Sequence, residues 1–383
     1  MDILPDLPGG QPLKGRGAVS NRTGRFEREV RHRIDDGWSN AGRGGGTPPD
    51  PTDTATVEEV RPRTHVIVDA TRSALTRNTS PDIPFDRSIN PYRGCEHGCV
   101  YCFARPTHAY LGMSPGLDFE TRILAKPDAP RLLVRELSRR NYRCRPIAMG
   151  TNTDPYQPLE RRLHITRGIL RVLSDFNHPV SIVTKSDGVL ADLDLLADMA
   201  ARNLAKVYLS VTTLDGGLAR RLEPRAAAPA KRLAAVHALA EAGVPVGVMV
   251  APVIPALTDT EMESILEAAA GAGAREAGYI LLRLPLEVKD LFTEWLRVHY
   301  PDRAARVLSL VRDTRGGNLN DATFGRRMRG QGPYAALIAA RFNVAARRVG
   351  LINERAREGM TGLDCTRFAP PKTPARQLAL FEE

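Results

Sequence analysis

No apolar run in the 383 residues approaches the length of a membrane-spanning helix, and the opening MDILPDLPGG has neither the charge nor the apolar core of a signal peptide. A cytoplasmic location with no membrane partner is therefore expected. Cysteine is scarce and odd in number: five in all, three of them within eight residues. In a reduced compartment that spacing favours a metal site over disulfides. The two others, Cys144 and Cys365, are too few for a second set of three or four metal ligands. Lysine is nearly missing, at 7 against 47 arginines, a bias that weakens the meaning of any single Arg. The formal net charge is +10, yet residues 1–63 hold ten basic and ten acidic residues and cancel. The excess is local: between Arg303 and Arg348 ten Arg stand against two Asp, a net of +8. A clustered excess is the footprint of a polyanion-binding face.

What the chain does have is alternation. Residues 1–60 are rich in Gly, Pro, Arg and Asp, as in GRGGGTPPDPTD, and read as a disordered tail. Order is expected to begin near HVIVDA at residues 65–70. Over residues 61–300, apolar runs alternate with helical patterns six times. The candidate strands are RSINPYR (88–94 region), RPIAMGT (145–151), PVSIVTK (179–185), AKVYLSVTT (205–213), PVGVMVAPVI (245–254) and EAGYILLRLP (276–285). Between them lie amphipathic segments such as AKRLAAVHALAEAG, ending on Gly243 as a helix C-cap. Such βα alternation predicts a parallel sheet with its crossovers outside. Six units are too few for a closed eight-stranded barrel, so the expected fold is α/β, a partial (βα)6 TIM-like barrel, with a doubly wound sheet as the alternative. In both, functional groups gather at the carboxyl ends of the strands. Residues 301–370 read as a helical basic extension, and 371–383 as a flexible tail containing QLALF.

The segment INPYRGCEHGCVYCFAR follows the first candidate strand and contains C-x3-C-x2-C as Cys95, Cys99 and Cys102. Gly94 and Gly98 let the loop wrap tightly. Three thiolates hold three irons of a [4Fe–4S] cubane and leave the fourth without a protein ligand, the open coordination that chemistry at a cluster requires. A zinc site with His97 or His108 as fourth ligand is the alternative.

The loop, with an aromatic residue just before its third Cys and six βα units around it, resembles the radical S-adenosylmethionine superfamily over residues 85 to 290. The resemblance implies that the methionyl amino and carboxylate groups of S-adenosylmethionine chelate the open iron. One electron, from a donor such as flavodoxin or ferredoxin, then cleaves the sulfonium to give a 5′-deoxyadenosyl radical. The blocks TNTDPYQPLE, IVTKS, YLSVTT and RRLEPRAAAPAKRL are similar to the branch that contains spore photolyase, a repair enzyme for a thymine dimer. Its hydrogen-donating cysteine lies in the strand-two block, which here reads Ala148-Met149-Gly150-Thr151. The resemblance therefore extends to the radical-generating core rather than to the photolyase reaction.

At the strand ends, Lys185 is a candidate for the methionyl carboxylate, Thr153 and Ser210 for amino or ribose groups, and the Tyr101 backbone for the adenine. Asn152 and Asp154 are further candidates in the strand-two block, with turn and cap roles as the competing reading. Arg221, Glu223 and Arg225 fit either orientation of the substrate or surface ion pairs.

Two features point to a nucleic-acid partner and a repair-linked role. Arg326, Arg327 and Arg329, with Phe324 and Tyr334 nearby, fit a grip on phosphates and bases; a solvated helix face is the plain alternative. Gln377, Leu378, Leu380 and Phe381, in QLALF, resemble the peptides by which bacterial replication and repair proteins dock on the DNA sliding clamp. Two other readings stay open: the same radical chemistry on a peptide or small metabolite, and a non-enzymatic, metal-containing DNA- or clamp-binding module.

Overall fold

A computed structural model describes residues 13–27, 62–352 and 362–371. The order begins with β1 (His65–Val68), β2 (Leu75–Arg77), β3 (Arg87–Ile89) and β4 (Tyr92–Arg93). After the cysteine loop and a 3-10 turn at Arg105–Leu111 come α1 (Asp118–Thr121), β5 (Arg122–Ala125) and α2 (Ala129–Leu137). The repeating part follows as β6 (Ile147–Met149), α3 (Glu160–Leu163), α4 (Ile165–Asp175), β7 (Val180–Thr184), α5 (Leu193–Ala201) and β8 (Ala205–Ser210). It continues with α6 (Gly216–Leu222), α7 (Pro229–Glu241), β9 (Val246–Val253), α8 (Met262–Gly271) and β10 (Glu276–Leu281). Three helices close the fold: α9 (Val288–His299), α10 (Pro301–Asp313) and α11 (Gly332–Arg348).

Seven strands form one sheet in the order β10-β9-β8-β7-β6-β3-β2. From β3 to β10 every neighbouring pair is parallel, and β2 joins β3 antiparallel at the edge. All six candidate strands of the sequence are present, and β10 and β2 stand at opposite edges, so this is a partial (βα)6 barrel. A second sheet, β1-β5-β4, lies beside it. The parallel strands are short Val-, Ile- and Leu-rich runs, such as VSIVT in β7 and VGVMVAPV in β9. Strands covered on both faces need that composition. Local signals agree with the ends of the helices: Pro229 opens α7, and Gly243 follows it with φ 77.

The helices after residue 300 belong to the same core. Ala335, Ile338, Phe342 and Ala346 of α11 join the main apolar cluster with Tyr279 and Leu281 of β10. Val307 and Val311 of α10 share a second cluster with Trp295, Phe292 and the cysteine-loop residues Val100 and Tyr101. At the other end of the chain, the expectation of disorder through residue 60 meets a difference: residues 13–27 are packed, with Arg16, Ala18 and Val19 buried. The Gln377–Phe381 segment lies outside the described residues. Among those described, no helix is long and apolar enough to cross a membrane.

Candidate active site

The cysteine loop leaves β4 at the carboxyl-end face of the sheet, and its turns require left-handed backbone at Gly94 (φ 82) and Gly98 (φ 68). Arg105, fully buried, staples it from within. Its guanidinium donates to the carbonyls of Cys99 (2.9 Å), Gly98 (3.1 Å), Pro115 (3.1 Å) and Gly116 (2.9 Å), and to Glu120 Oε1 at 2.5 Å. A buried Arg–carboxylate pair is tolerable only when its other donors are satisfied, as they are here.

Cys95 and Cys99 are buried and Cys102 half-buried, all with free thiols. Burial pushes each thiol up; the nearby Asp154 and Cys99 add to this at Cys95, and Glu223 and Cys102 at Cys99. Charge on Cys99 and Cys102 thus raises Cys95, and charge on Cys102 raises Cys99, a cost that binding to cationic iron would remove. Among the described residues, no three His, Cys, Asp or Glu side chains converge as a single ion requires. Each of the two histidines has one ring nitrogen engaged. His97 Nδ1 lies 3.3 Å from Asp154 Oδ2, and His108 Nε2 lies 2.9 Å from the Arg122 carbonyl oxygen.

Behind the loop, the strand ends converge on one buried carboxylate, Glu223. Tyr101 Oη and Arg232 Nη2 donate to it, as does Thr212 Oγ1 at 2.6 Å, and Lys185 Nζ lies 3.5 Å away. Burial opposes ionisation, but the charges of Arg232 and Lys185, with the two hydroxyls, hold the carboxyl well below the usual carboxylate range. Lys185 Nζ also donates to the Ala251 carbonyl at 2.9 Å and sits 5.8 Å from the Tyr101 ring centroid. It stands just past the end of β7, and its charge acts on Cys99.

The other sequence candidates are distributed differently. Thr153 is buried with its hydroxyl donating to the Tyr92 carbonyl at 2.8 Å, so it is occupied in joining the β6 end to β4. The Asn152 backbone N–H donates to Asn90 Oδ1 at 3.1 Å. Ser210 is buried, and its carbonyl accepts from Arg232 Nη1 at 3.0 Å. Asp154 accepts from Thr184 Oγ1 (2.7 Å) and the backbone N–H groups of Lys185 and Tyr156 (2.8 and 2.9 Å), the turn-and-cap role. Of the three residues past β8, Glu223 is the centre of the network, Arg225 pairs with Glu96 of the cysteine loop at 2.8 Å, and Arg221 donates to Tyr300 Oη at 2.7 Å. Arg232, Thr212 and Glu120 were not singled out as functional from sequence. Arg232 did stand inside the block RRLEPRAAAPAKRL, where a charged residue on the buried side of α7 was a usable signal.

Residues 13–27 form a strap across the outside of the loop. The Gly17 and Ala18 N–H groups donate to the Glu120 carboxylate at 2.9 and 2.8 Å, and Arg16 Nη1 donates to the Glu120 carbonyl at 2.8 Å. A Cβ on Gly17 would lie 1.8 Å from the Gly98 carbonyl oxygen. Gly17→Ala should therefore lift the strap, raising hydrogen exchange at residues 17 and 18 and costing about 1–3 kcal/mol in chemical denaturation. Wild-type exchange and stability in the variant would show that the contact is not needed.

The basic loop after α10 closes over the edge between β10 and the β2–β3 hairpin. Arg315, buried, donates to the Leu281 and Leu282 carbonyls and to those of Arg326 and Arg327, which fixes the loop to the end of β10. Arg327 pairs with Asp82 at 2.7 and 2.6 Å and stacks on Phe324 (4.8 Å). Arg326 bonds to Gln331 at 2.8 Å, Arg329 stacks on Tyr279 (4.2 Å), and Tyr334 donates to Asp259 at 2.5 Å. The loop thus brings Arg327 and Phe324 together and turns Arg329 and Tyr334 to other partners.

A three-cysteine loop at the carboxyl face of a partial barrel is the arrangement of one large enzyme class, and the family comparison agrees. The model of the radical SAM superfamily matches residues 89–269, and the chain belongs to that superfamily. It is a radical SAM enzyme, and its cofactors are a [4Fe–4S] cluster and S-adenosylmethionine. An uncharacterized protein of Mycobacterium tuberculosis is 39% identical over 244 residues, which span 63% of this chain and 72% of that one. An uncharacterized protein of Methanocaldococcus jannaschii is 31% identical over 173 residues, 45% of this chain and 62% of that one. Among solved structures, spore photoproduct lyase complexed with dinucleoside spore photoproduct aligns with a TM-score of 0.53 at 17% identity, covering 74% of this chain and 79% of that one. That likeness is one of fold.

Proposed function

We propose that Cys95, Cys99 and Cys102 hold the cluster, that the strand-end residues hold S-adenosylmethionine against it, and that the substrate is DNA or another nucleic acid. The observation that carries the reading is the placement of the three thiols directly before the Lys185–Glu223–Arg232–Tyr101 network. With both cofactors bound, this site supplies a 5′-deoxyadenosyl radical able to abstract hydrogen from an unactivated carbon. The chain's own residues do the positioning. Lys185, a cation at the strand ends, is the partner for the methionyl carboxylate, and Glu223 stands 3.5 Å from its Nζ. The Tyr101 backbone is the candidate contact for the adenine, and Ser210 and Asn152 are candidates for polar groups of the cofactor. The Thr153 hydroxyl, tied to Tyr92, positions the β6 end instead.

For the substrate, support comes from the basic character of the rim and from the fold shared with a lyase whose structure holds a dinucleoside lesion. A sliding-clamp contact through Gln377–Phe381 remains a reading of the sequence alone. The test is an anaerobic assay of reconstituted, reduced enzyme with site-deuterated DNA or RNA. Deuterium in 5′-deoxyadenosine is the expected result. Cofactor cleavage that no nucleic acid stimulates or labels would move the substrate to another class.

A further inference from the structure

Arg25, Arg283 and Arg327 each lie against an aromatic ring, but they differ in what else they hold. Arg25 lies 5.3 and 5.5 Å from the ring centroids of Phe26 and Tyr110 and is bound by Glu287 at 2.6 Å. Arg327 stacks on Phe324 and is bound by Asp82. Arg283, two residues past β10, stacks 4.2 Å from the centroid of Phe103, the residue that follows Cys102. Among the described residues it has neither a carboxylate in ion-pair range nor a hydrogen-bond partner. Burial lowers its pKa and the charge of Arg327 adds to this, against the raising charges of Cys102 and Asp82. A guanidinium nevertheless stays protonated at neutral pH, so a half-buried positive charge stands beside the Phe103 ring with no ion-paired anion among the described residues.

The neighbourhood indicates what that anion belongs to. Cys102 feels the charges of both Lys185 and Arg283. Lys185 lies with Glu223, and Arg283 lies against the Phe103 ring, which is 42% exposed. Phe324, 55% exposed, continues the surface beyond Arg327. A ligand anchored on Arg283 therefore has the exposed rings of Phe103 and Phe324 within the same basic surface. An anion at fixed spacing from a planar, open aromatic face matches the phosphate and base of a nucleotide, and only an unpaired base offers a face for stacking.

Resting on the nucleic-acid reading above, we propose that Arg283 and Phe103 form a nucleotide subsite beside the cluster loop, with a substrate phosphate on Arg283 and an unpaired base on Phe103. The test uses the anaerobically reconstituted full chain, a short fluorescent oligothymidylate and a matched duplex, with affinity followed against salt. Arg283→Gln should weaken single-strand binding about tenfold and lower the salt slope by about 0.7, the value for one phosphate contact on a single strand. Phe103→Ala should weaken it about tenfold with the slope unchanged. Both variants should bind S-adenosylmethionine as wild type does, and both should affect the duplex less. Wild-type single-strand affinity in either variant would overturn the subsite. Loss of S-adenosylmethionine affinity in Arg283→Gln, with oligonucleotide binding intact, would assign Arg283 to the cofactor instead. If the wild-type enzyme binds neither strand form, the nucleic-acid reading falls and takes the subsite with it, a result distinct from variants that merely match a binding wild type.

Discussion

Cys99→Ala is expected to abolish reductive cleavage of S-adenosylmethionine, leaving no 5′-deoxyadenosine above background in the reconstituted, reduced protein. With two thiolates in place of three, a second iron loses its protein ligand, and the cluster no longer presents one open corner to the cofactor. The fold should survive, because a buried cysteine outside a metal site packs as a small apolar residue and alanine leaves only a small void. Iron content and visible absorption should fall while far-UV circular dichroism stays unchanged. Cys144→Ala and Cys365→Ala are the controls. Cys144 precedes β6 at the amino end of the sheet, opposite the cysteine loop, and Cys365 lies after α11. Both should keep full turnover. Retained cleavage in Cys99→Ala would separate the loop from the chemistry.

The second large effect is on stability. Glu223→Gln removes the one negative charge that compensates buried Arg232, whose side chain is 1% exposed, and partly buried Lys185. Breaking a buried pair from one side strands the other charge, at a cost of about 3–5 kcal/mol. Chemical denaturation of the anaerobic holoenzyme measures it. The double variant Glu223→Leu, Arg232→Met should lose less than Glu223→Gln, since no charge is left unpaired. An equal or larger loss would show that the carboxylate acts through packing and not through charge. The pH dependence has a definite sign. Burial would raise the Glu223 carboxyl, but Arg232, Lys185 and the two hydroxyls depress it below its ordinary 4.5. A depressed carboxyl contributes stability above its unfolded pKa and loses it as pH falls toward the folded value. Wild type should therefore lose stability progressively below about pH 4.5, and Glu223→Gln should lack that component.

These two residues also mark how far the sequence could be read. Cys99 was legible because a three-ligand loop is local: C-x3-C-x2-C with flanking glycines places its donors within eight residues, whatever the rest of the chain does. The six strands were legible for a related reason, since strands buried on both faces must be short apolar runs and the segments between them must be amphipathic. Lys185 stood out as a lone cation at a strand end. Glu223 did not separate itself from Arg221 and Arg225, because three charged residues spaced by two give no indication of which one turns inward. The fold separates them: Glu223 meets Arg232 from α7, Arg225 meets Glu96, and Arg221 meets Tyr300.

The strap and the rim were illegible for another reason. Residues 13–27 have the Gly- and Arg-rich composition of a tail and bury little apolar surface. What holds them is polar: backbone N–H groups on Glu120, roughly a hundred residues away in sequence. Arg315, Arg327 and Arg329 look alike in a chain that uses arginine almost throughout. Their partners, backbone carbonyls, Asp82 and the Tyr279 ring, come from distant segments.

The sequence by itself therefore determined the radical-enzyme class, the cysteine loop and the six-unit sheet. The loop and the sheet rest on spacing within a few residues or on a hydrophobic period, and the class rests on the loop's resemblance to a known superfamily. Tertiary structure alone decided which carboxylate anchors the strand-end network, which arginines are spent on structure and which one stacks on the ring beside the third cysteine. Those outcomes depend on long-range pairing, and pairing between buried charges is set by where the chain brings them, not by what surrounds them in sequence.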